Sequence, residues 1–192
     1  MGAGTNRPWL PVLDFWFREL APSDWFNGGD AVDRMVRERF APQVAQALAG
    51  ELDDWASDPR GRLALIVLID QFTRNIYRDD PRAFSGDAKA QQLVLDGLEQ
   101  GMDAALALSE RQFFYLPLMH AEDMELQAKS IACFERLAAD AADILDFARG
   151  HRNVVARYGR FPMRNAALGR SNSEAEARYI AAGGGFPLDS ED

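Results

Sequence analysis

Apolar residues recur at three- and four-residue spacing along most of this chain, while the strict two-residue alternation of half-buried strands is missing. Val12 to Leu20 carries Phe15, Trp16 and Phe17, and Trp25-Phe26 follows Pro22, which predicts an aromatic plug packed against the main body. Val32, Met35, Val36 and Phe40 form one helical seam, and Pro42 predicts a break before Val44 to Leu48. Asp58-Pro59 reads as an N-cap with proline at the first helical position. The helix that follows, Leu63 to about Tyr77, is apolar almost all round in its first half, as suits a helix enclosed by others. Ser85 or Asp87 is the expected cap of the next helix, which carries Leu93, Val94, Leu95 and Leu98 and ends at Gly101.

The second half repeats the pattern. Ser109-Glu110-Arg111-Gln112 fits a capping box ahead of Phe113, Phe114 and Tyr115, and Pro117 predicts a kink or restart. Met124, Ile131, Phe134 and Leu137 mark the next helical face. A further helix starts at Asp140 or Asp143, runs through Ile144, Phe147, Val154 and Val155, and stops at Gly159. The last starts at Ser173, with Glu176 completing a capping box, and ends before Gly183-Gly184-Gly185. Every well-marked element is helical and the connections are short, which predicts an all-α fold of antiparallel helical hairpins in a single domain, 1–192, with frayed tails at 1–8 and 187–192.

Composition narrows the partners. A chain of 192 residues buries roughly 70% of its unfolded surface, enough for a core without staples. The one cysteine, Cys133, excludes an internal disulfide and sits in an apolar setting that reads as a buried inert thiol. No signal-peptide pattern opens the chain, and the longest apolar run, Leu63 to Ile69, is too short to span a bilayer. The expectation is a cytoplasmic protein with no membrane contact. A net charge of −9 argues against nucleic-acid binding, because backbone affinity comes from Lys and Arg displacing counterions.

Against that acidic background, Phe147 to Ser173 holds Arg149, Arg152, Arg157, Arg160, Arg164 and Arg170 together with His151, and no acidic residue. Arg160 and Arg164 flank Phe161-Pro162 in a tight connection, and the planar arginine fork suits a carboxylate or phosphate. A second polar group, Asp70-Gln71-Phe72-Thr73-Arg74-Asn75-Ile76-Tyr77-Arg78, interrupts an apolar helix, with Asp70, Arg74 and Tyr77 or Arg78 sharing a face. A third, His120 to Gln127, aligns His120, Asp123 and Gln127 on a helix beside Glu122. Neither the two-histidine zinc spacing nor the paired Glu-x-x-His of di-iron bundles is present, so no metal and no cofactor is expected. The simplest structural reading pairs the arginines with Asp70, Glu122 and Asp123 in a network that locks three helices together.

Leu68-Ile69-Asp70-Gln71-Phe72-Thr73-Arg74-Asn75, Pro117-Leu118-Met119-His120-Ala121-Glu122-Asp123, Tyr158-Gly159-Arg160-Phe161-Pro162-Met163-Arg164-Asn165 and Leu168-Gly169-Arg170 resemble the bacterial family called domain of unknown function 924. The resemblance runs from Val12 through Phe186. It implies an all-helical, tetratricopeptide-repeat-like fold and no established activity; the repeat's own sequence signature is not legible. Thr73 stands where proline is common in that family, Ala121 where serine is common, and Met163 where a histidine often precedes Arg-Asn. Chemistry that relied on that histidine would be lost here, whereas anion recognition by Arg160, Arg164 and Asn165 would survive.

Two functions follow as expectations. One is a binding module in which Asp70, Arg74, Asn75, Arg78, His120, Asp123, Arg160, Arg164 and Asn165 receive the carboxylate or phosphate of a peptide or small metabolite. The other is an enzyme acting on a small anionic substrate, with His120 or Glu122 as general base and the arginines as electrostatic stabilisers. A third possibility is a purely structural ion-pair network, in which exposed Trp9, Trp16 or Trp25 would mark a homodimer surface, although burial is expected for most of them.

Overall fold

The structure, a computed structural model, describes residues 7–138 and 142–185. Among these residues every regular element is helical and no strand occurs, so the chain is all-α. The helices are α1 Leu10–Asp14, α2 Asp24–Asn27, α3 Gly29–Ala49, α4 Pro59–Ile66, α5 Thr73–Ile76, α6 Asp87–Glu99, α7 Leu108–Met119, α8 Met124–Ala138, α9 Ala142–Tyr158 and α10 Glu174–Ala181. The chain divides into two compact units: Met1–Arg78 with Arg82–Phe114, and Asp79–Pro81 with Tyr115–Asp192. None of the helices among the described residues is long and apolar enough to cross a membrane.

In the first unit α3 is unbroken through Pro42. Pro42 lies on the exposed side, so the carbonyl of Glu38 that loses its amide partner faces water, and the seam Val32, Val36, Phe40, Val44, Ala47 stays buried. Met35, expected on that seam, is exposed. The aromatic plug forms as expected: Phe15 lies 5.1 Å from Phe40, Trp16 5.5 Å from Phe72 and 5.4 Å from Phe113. Trp16 is buried, while Trp9 and Trp25 are half-buried.

The long helix expected from Leu63 to Tyr77 is α4 and α5 joined by a π-helical stretch, Val67–Phe72. Asp58 caps it, accepting from the Arg60 and Gly61 amides. The wider π turn shifts the backbone bonding register. Thr73 Oγ1 donates to the Ile69 carbonyl at 2.9 Å, and Arg74 donates to the Asp70 carbonyl. Neither Ser85 nor Asp87 caps α6; Gly86 occupies that position, and the Asp87 carboxylate is turned to Arg74 instead. α7 begins one residue before Ser109, and Glu110 closes back on the Ala107 amide, so the expected Ser109 box is replaced by a cap from Glu110 alone. α7 continues through Pro117 to Met119.

In the second unit α8 and α9 pack side by side. The buried face of α8 is Gln127, Ser130, Cys133, Phe134 and Leu137; Met124 is exposed and Ile131 half-buried, unlike the expected face. Helix α9 is described from Ala142, so the start expected at Asp140 lies outside the described residues and Asp143 falls within the helix. Gly159, at φ 68°, ends α9 in a left-handed conformation that costs a side-chain-bearing residue more. Val154, Val155 and Phe161 form a small core with Tyr158 and Tyr179 against it. Ser173 and Glu176 close the capping box of α10. Of the expected tails, residues 1–6 of 1–8 and all of 187–192 lie outside the described residues.

Candidate functional site

The residues singled out in sequence fall into both units. In the first, Asp70 is fully buried, accepts from Gln71 and pairs with Arg74 at 3.2 Å, while Arg74 also meets Asp87 at 3.0 Å. Arg78 does not join that face. It grips Asp33 through Nε and Nη2, and Asn75 donates to the same carboxylate at 2.8 Å. Burial opposes the charge on Asp33, but the bonds from Arg78 and Asn75 outweigh it and hold the carboxyl below its ordinary range. This cluster ties α3 to α5 and the turn after it.

In the second unit the expected alignment of His120, Asp123 and Gln127 on one helix does not form, because α7 ends at Met119 and α8 starts at Met124. The turn between them gives each residue a separate task. Asp123 caps α8, accepting from the Glu125 and Leu126 amides at 2.9 Å. Gln127, fully buried, donates to the Met119 and Ala121 carbonyls left open at the end of α7. His120 turns toward a cavity.

Glu122 is the electrostatic hub of this turn. Arg170 holds it with two bonds of 3.0 and 2.9 Å, and the Phe161 amide adds a third at 3.1 Å. Burial pushes its carboxyl up, yet Arg170, the Phe161 amide and the nearby charge of Arg164 outweigh that and hold it below the usual range. A carboxylate so stabilised is a weak base. Arg170 and Arg164 therefore both act on this one carboxylate.

Arg160 is engaged by Glu176, and its Nη2 also donates to the Ser171 carbonyl at 3.0 Å. Asn165 is fully buried, donates to Asn172 at 2.8 Å and anchors the turn before α10. Arg164 is directed elsewhere. Its Nη2 donates to the His120 carbonyl at 2.9 Å and its guanidinium lies 4.6 Å from the centre of the Phe161 ring.

A cavity of about 130 Å³ opens at this point, lined by His120, His151, Phe161, Pro162, Met163, Arg164 and Tyr179. It brings together the chain's two histidines, with ring centres 6.1 Å apart. His151 Nδ1 lies 2.8 Å from the Phe147 carbonyl one helical turn earlier. A carbonyl can only accept, so Nδ1 carries the proton and Nε2 the lone pair. Burial, then the neighbouring His120 and Arg164, push the His151 pKa down to about 3, so its ring is neutral at physiological pH.

Sequence reading selected His120 and Arg164 but gave His151, Tyr179 and Phe161 no site role. His151 lies 31 residues beyond His120, on another helix, and no spacing rule links them. Position 163, singled out because a histidine is common there in the resembled family, does line the cavity, here with a methionine. Among the described residues no group of three or more His, Cys, Asp or Glu side chains is placed to hold a metal ion.

The architecture is thus that of an all-helical protein with a small cavity edged by two imidazoles and an arginine. The chain belongs to the bacterial family of proteins of unknown function designated DUF924, whose profile matches residues 12–184. Among solved structures it is similar to a protein of unknown function from Agrobacterium tumefaciens, with 33% sequence identity and a TM-score of 0.85 over 91% of this chain and 97% of that one. Comparison with curated proteins returns no match.

Proposed function

We propose that the second unit is a binding module for a small molecule carrying a carboxylate or phosphate, which enters the cavity between His120 and His151 and meets Arg164. The observation that carries this reading is the convergence of both histidines and Arg164 on one cavity of about 130 Å³. An engineered cavity of roughly 150 Å³ admits benzene, so the space suits a group of about six heavy atoms and favours a metabolite over the side chains of a peptide. Phe161, Pro162 and Tyr179 supply apolar and aromatic walls, and Arg164 supplies the charge. A cytoplasmic setting, where small carboxylates and phosphates are abundant, belongs to the same reading.

The test uses the chain's own reporters. Both histidines border the cavity, so their two imidazole Hε1 resonances follow its occupancy in an NMR titration with acetate, inorganic phosphate and short dicarboxylates. Saturable shifts of both resonances, lost in Arg164→Met, are expected. Resonances that stay still with every one of these anions would overturn the reading.

A further inference from the structure

Helix α9 and the end of α10 line an open groove of about 370 Å³ that shares one wall, Tyr179, with the smaller cavity at Arg164. Val154, buried, and Ala182 give it aliphatic surface, and Tyr158 and Tyr179 give it an aromatic pair with ring centres 5.1 Å apart and planes tilted by 39°. Both rings are held in place before any ligand arrives. They pack against the small core of Val154, Val155 and Phe161, and the Tyr179 hydroxyl donates to the Gly184 carbonyl at 2.8 Å.

Arg157 stands at this aromatic pair, its guanidinium carbon 5.8 Å from the centre of the Tyr158 ring. Its neighbours in sequence are spent elsewhere: Arg160 on Glu176, Arg164 on the His120 carbonyl and Arg170 on Glu122. Among the described residues no carboxylate or carbonyl pairs with the exposed Arg157. It is also the one ionised side chain among the described residues that line the groove. A second recess on the other side of Arg157 and Tyr158 is different, because Arg160 and Glu176 neutralise each other there.

We propose that the groove binds a small aromatic carboxylate, its acid group paired with Arg157 and its ring laid against Tyr158 and Tyr179. A guanidinium fork suits a carboxylate, and a single positive charge matches a monoanion better than a phosphate dianion. An exposed ion pair adds little by itself, so the ligand must also bury apolar surface, which the two tyrosines and Val154 offer. The volume falls in the range of about 300–1,000 Å³ common to small-molecule sites. This site goes beyond the cavity reading, and Arg164 has no part in it.

The test titrates the full chain with phenylacetate, its neutral amide phenylacetamide, and acetate, followed by NMR. Tyr158 borders the groove and not the cavity, so its ring resonances report the groove, while the histidine Hε1 resonances report the cavity. Phenylacetate should move the Tyr158 resonances saturably, phenylacetamide should bind roughly tenfold more weakly, and acetate should leave them in place. Arg157→Met, which keeps the apolar stem and removes the charge, should reduce phenylacetate to the level of the amide. Equal binding of acid and amide, or phenylacetate binding that survives Arg157→Met, overturns the proposal. So do Tyr158 resonances that stay still at about 10 mM phenylacetate, where even millimolar affinity would show. The sequence after Gly185 carries Phe186, Asp189, Glu191 and Asp192, so phenylacetate that binds only when 186–192 is deleted assigns the groove to that segment and overturns the small-molecule reading. The histidine response to acetate bears on the cavity alone, so the two readings fail separately.

Discussion

Arg160 holds Glu176 with a two-pronged contact, Nε to Oε1 at 2.7 Å and Nη2 to Oε2 at 3.0 Å, and the same carboxylate accepts the Ser173 amide at the start of α10. One acid thus serves as the arginine's counter-charge and as half of a capping box. The hydrogen bonds from Arg160 and the Ser173 amide hold the Glu176 pKa down to about 2. Arg160, which in sequence looks as ready for a ligand as Arg164, is an internal strut between the end of α9 and the start of α10. Arg160→Ala should lower the midpoint of thermal unfolding and leave the anion-induced shifts of the histidine resonances in place. Loss of those shifts with an unchanged midpoint would make Arg160 a ligand contact instead.

Glu176 also predicts part of the acid response. Its folded pKa lies below the ordinary carboxyl value of 4.5, so the stability it contributes is present above that value and fades as pH falls toward 2. In Glu176→Gln the unfolding midpoint should start lower at pH 7 and fall less steeply between pH 4.5 and 3 than in the parent. Parallel curves would show that the Arg160 contact adds nothing.

His151 acts over a different window. Its pKa is lowered from 6.5 to about 3 on folding, so between those values the unfolded chain binds a proton that the folded chain refuses, and stability falls as pH drops below 6.5. The interval from pH 6.5 to 4.5 lies above the range in which Glu176 responds, which separates the two. His151→Gln should flatten the loss of stability across that interval, measured by urea unfolding at constant ionic strength. The full effect of the parent ring would be about 1.4 kcal/mol per pH unit. An unchanged slope would mean that the ring is hydrated enough to titrate normally.

Asp70 is fully buried and shared between Gln71 and Arg74. Asp70→Ala removes the carboxylate and leaves the Gln71 amide without its acceptor, while Arg74 keeps Asp87. A loss of about 1–3 kcal/mol is expected for such an orphaned donor, measured by denaturant unfolding. Binding of anions in the second unit should be unaffected if Asp70 is purely structural.

Gly86 tests the packing around the π stretch. A Cβ at this position would lie 2.2 Å from the Ile69 carbonyl oxygen and 2.8 Å from the Ile69 Cβ. Backbone cannot yield as a flexible side-chain tip can, so Gly86→Ala should cost at least about 2 kcal/mol. Gly101→Ala is a useful contrast: it has open space around the position but a φ of 65°, and should cost only the backbone strain, about 1 kcal/mol.

Much of the secondary structure was legible because its signals are local. The Asp58-Pro59 start, the Ser173 to Glu176 box and the stops at Gly101 and Gly159 each depend on a few neighbouring residues. Errors arose where distant groups competed for a local cap or where a breaker was tolerated. Asp87 gave up its capping role to Arg74, 13 residues away. Pro42 stayed inside α3 because its orphaned carbonyl could reach water. The π stretch at Val67–Phe72 leaves no spacing signature, since its residues are buried on every side and hydrophobic period cannot distinguish one helical register from another.

The sequence by itself determined the all-helical class, the family and the concentration of arginine after Phe147, because periodicity, motifs and charge are properties of order along the chain. Which acceptor each arginine takes was decided only by the tertiary structure. Arg160, Arg164 and Arg170 lie within eleven residues of one another, yet Arg160 goes to Glu176, Arg170 to Glu122, and Arg164 to the His120 carbonyl at the cavity. The reason is physical. A guanidinium on a long side chain takes the strongest acceptor that its turn brings within reach, and the positions of Glu176, Glu122 and His120 depend on how α7, α8, α9 and α10 fold back on one another. The meeting of His120 with His151 has the same origin: two rings on separate segments become one site only when packing closes the distance between them to 6.1 Å.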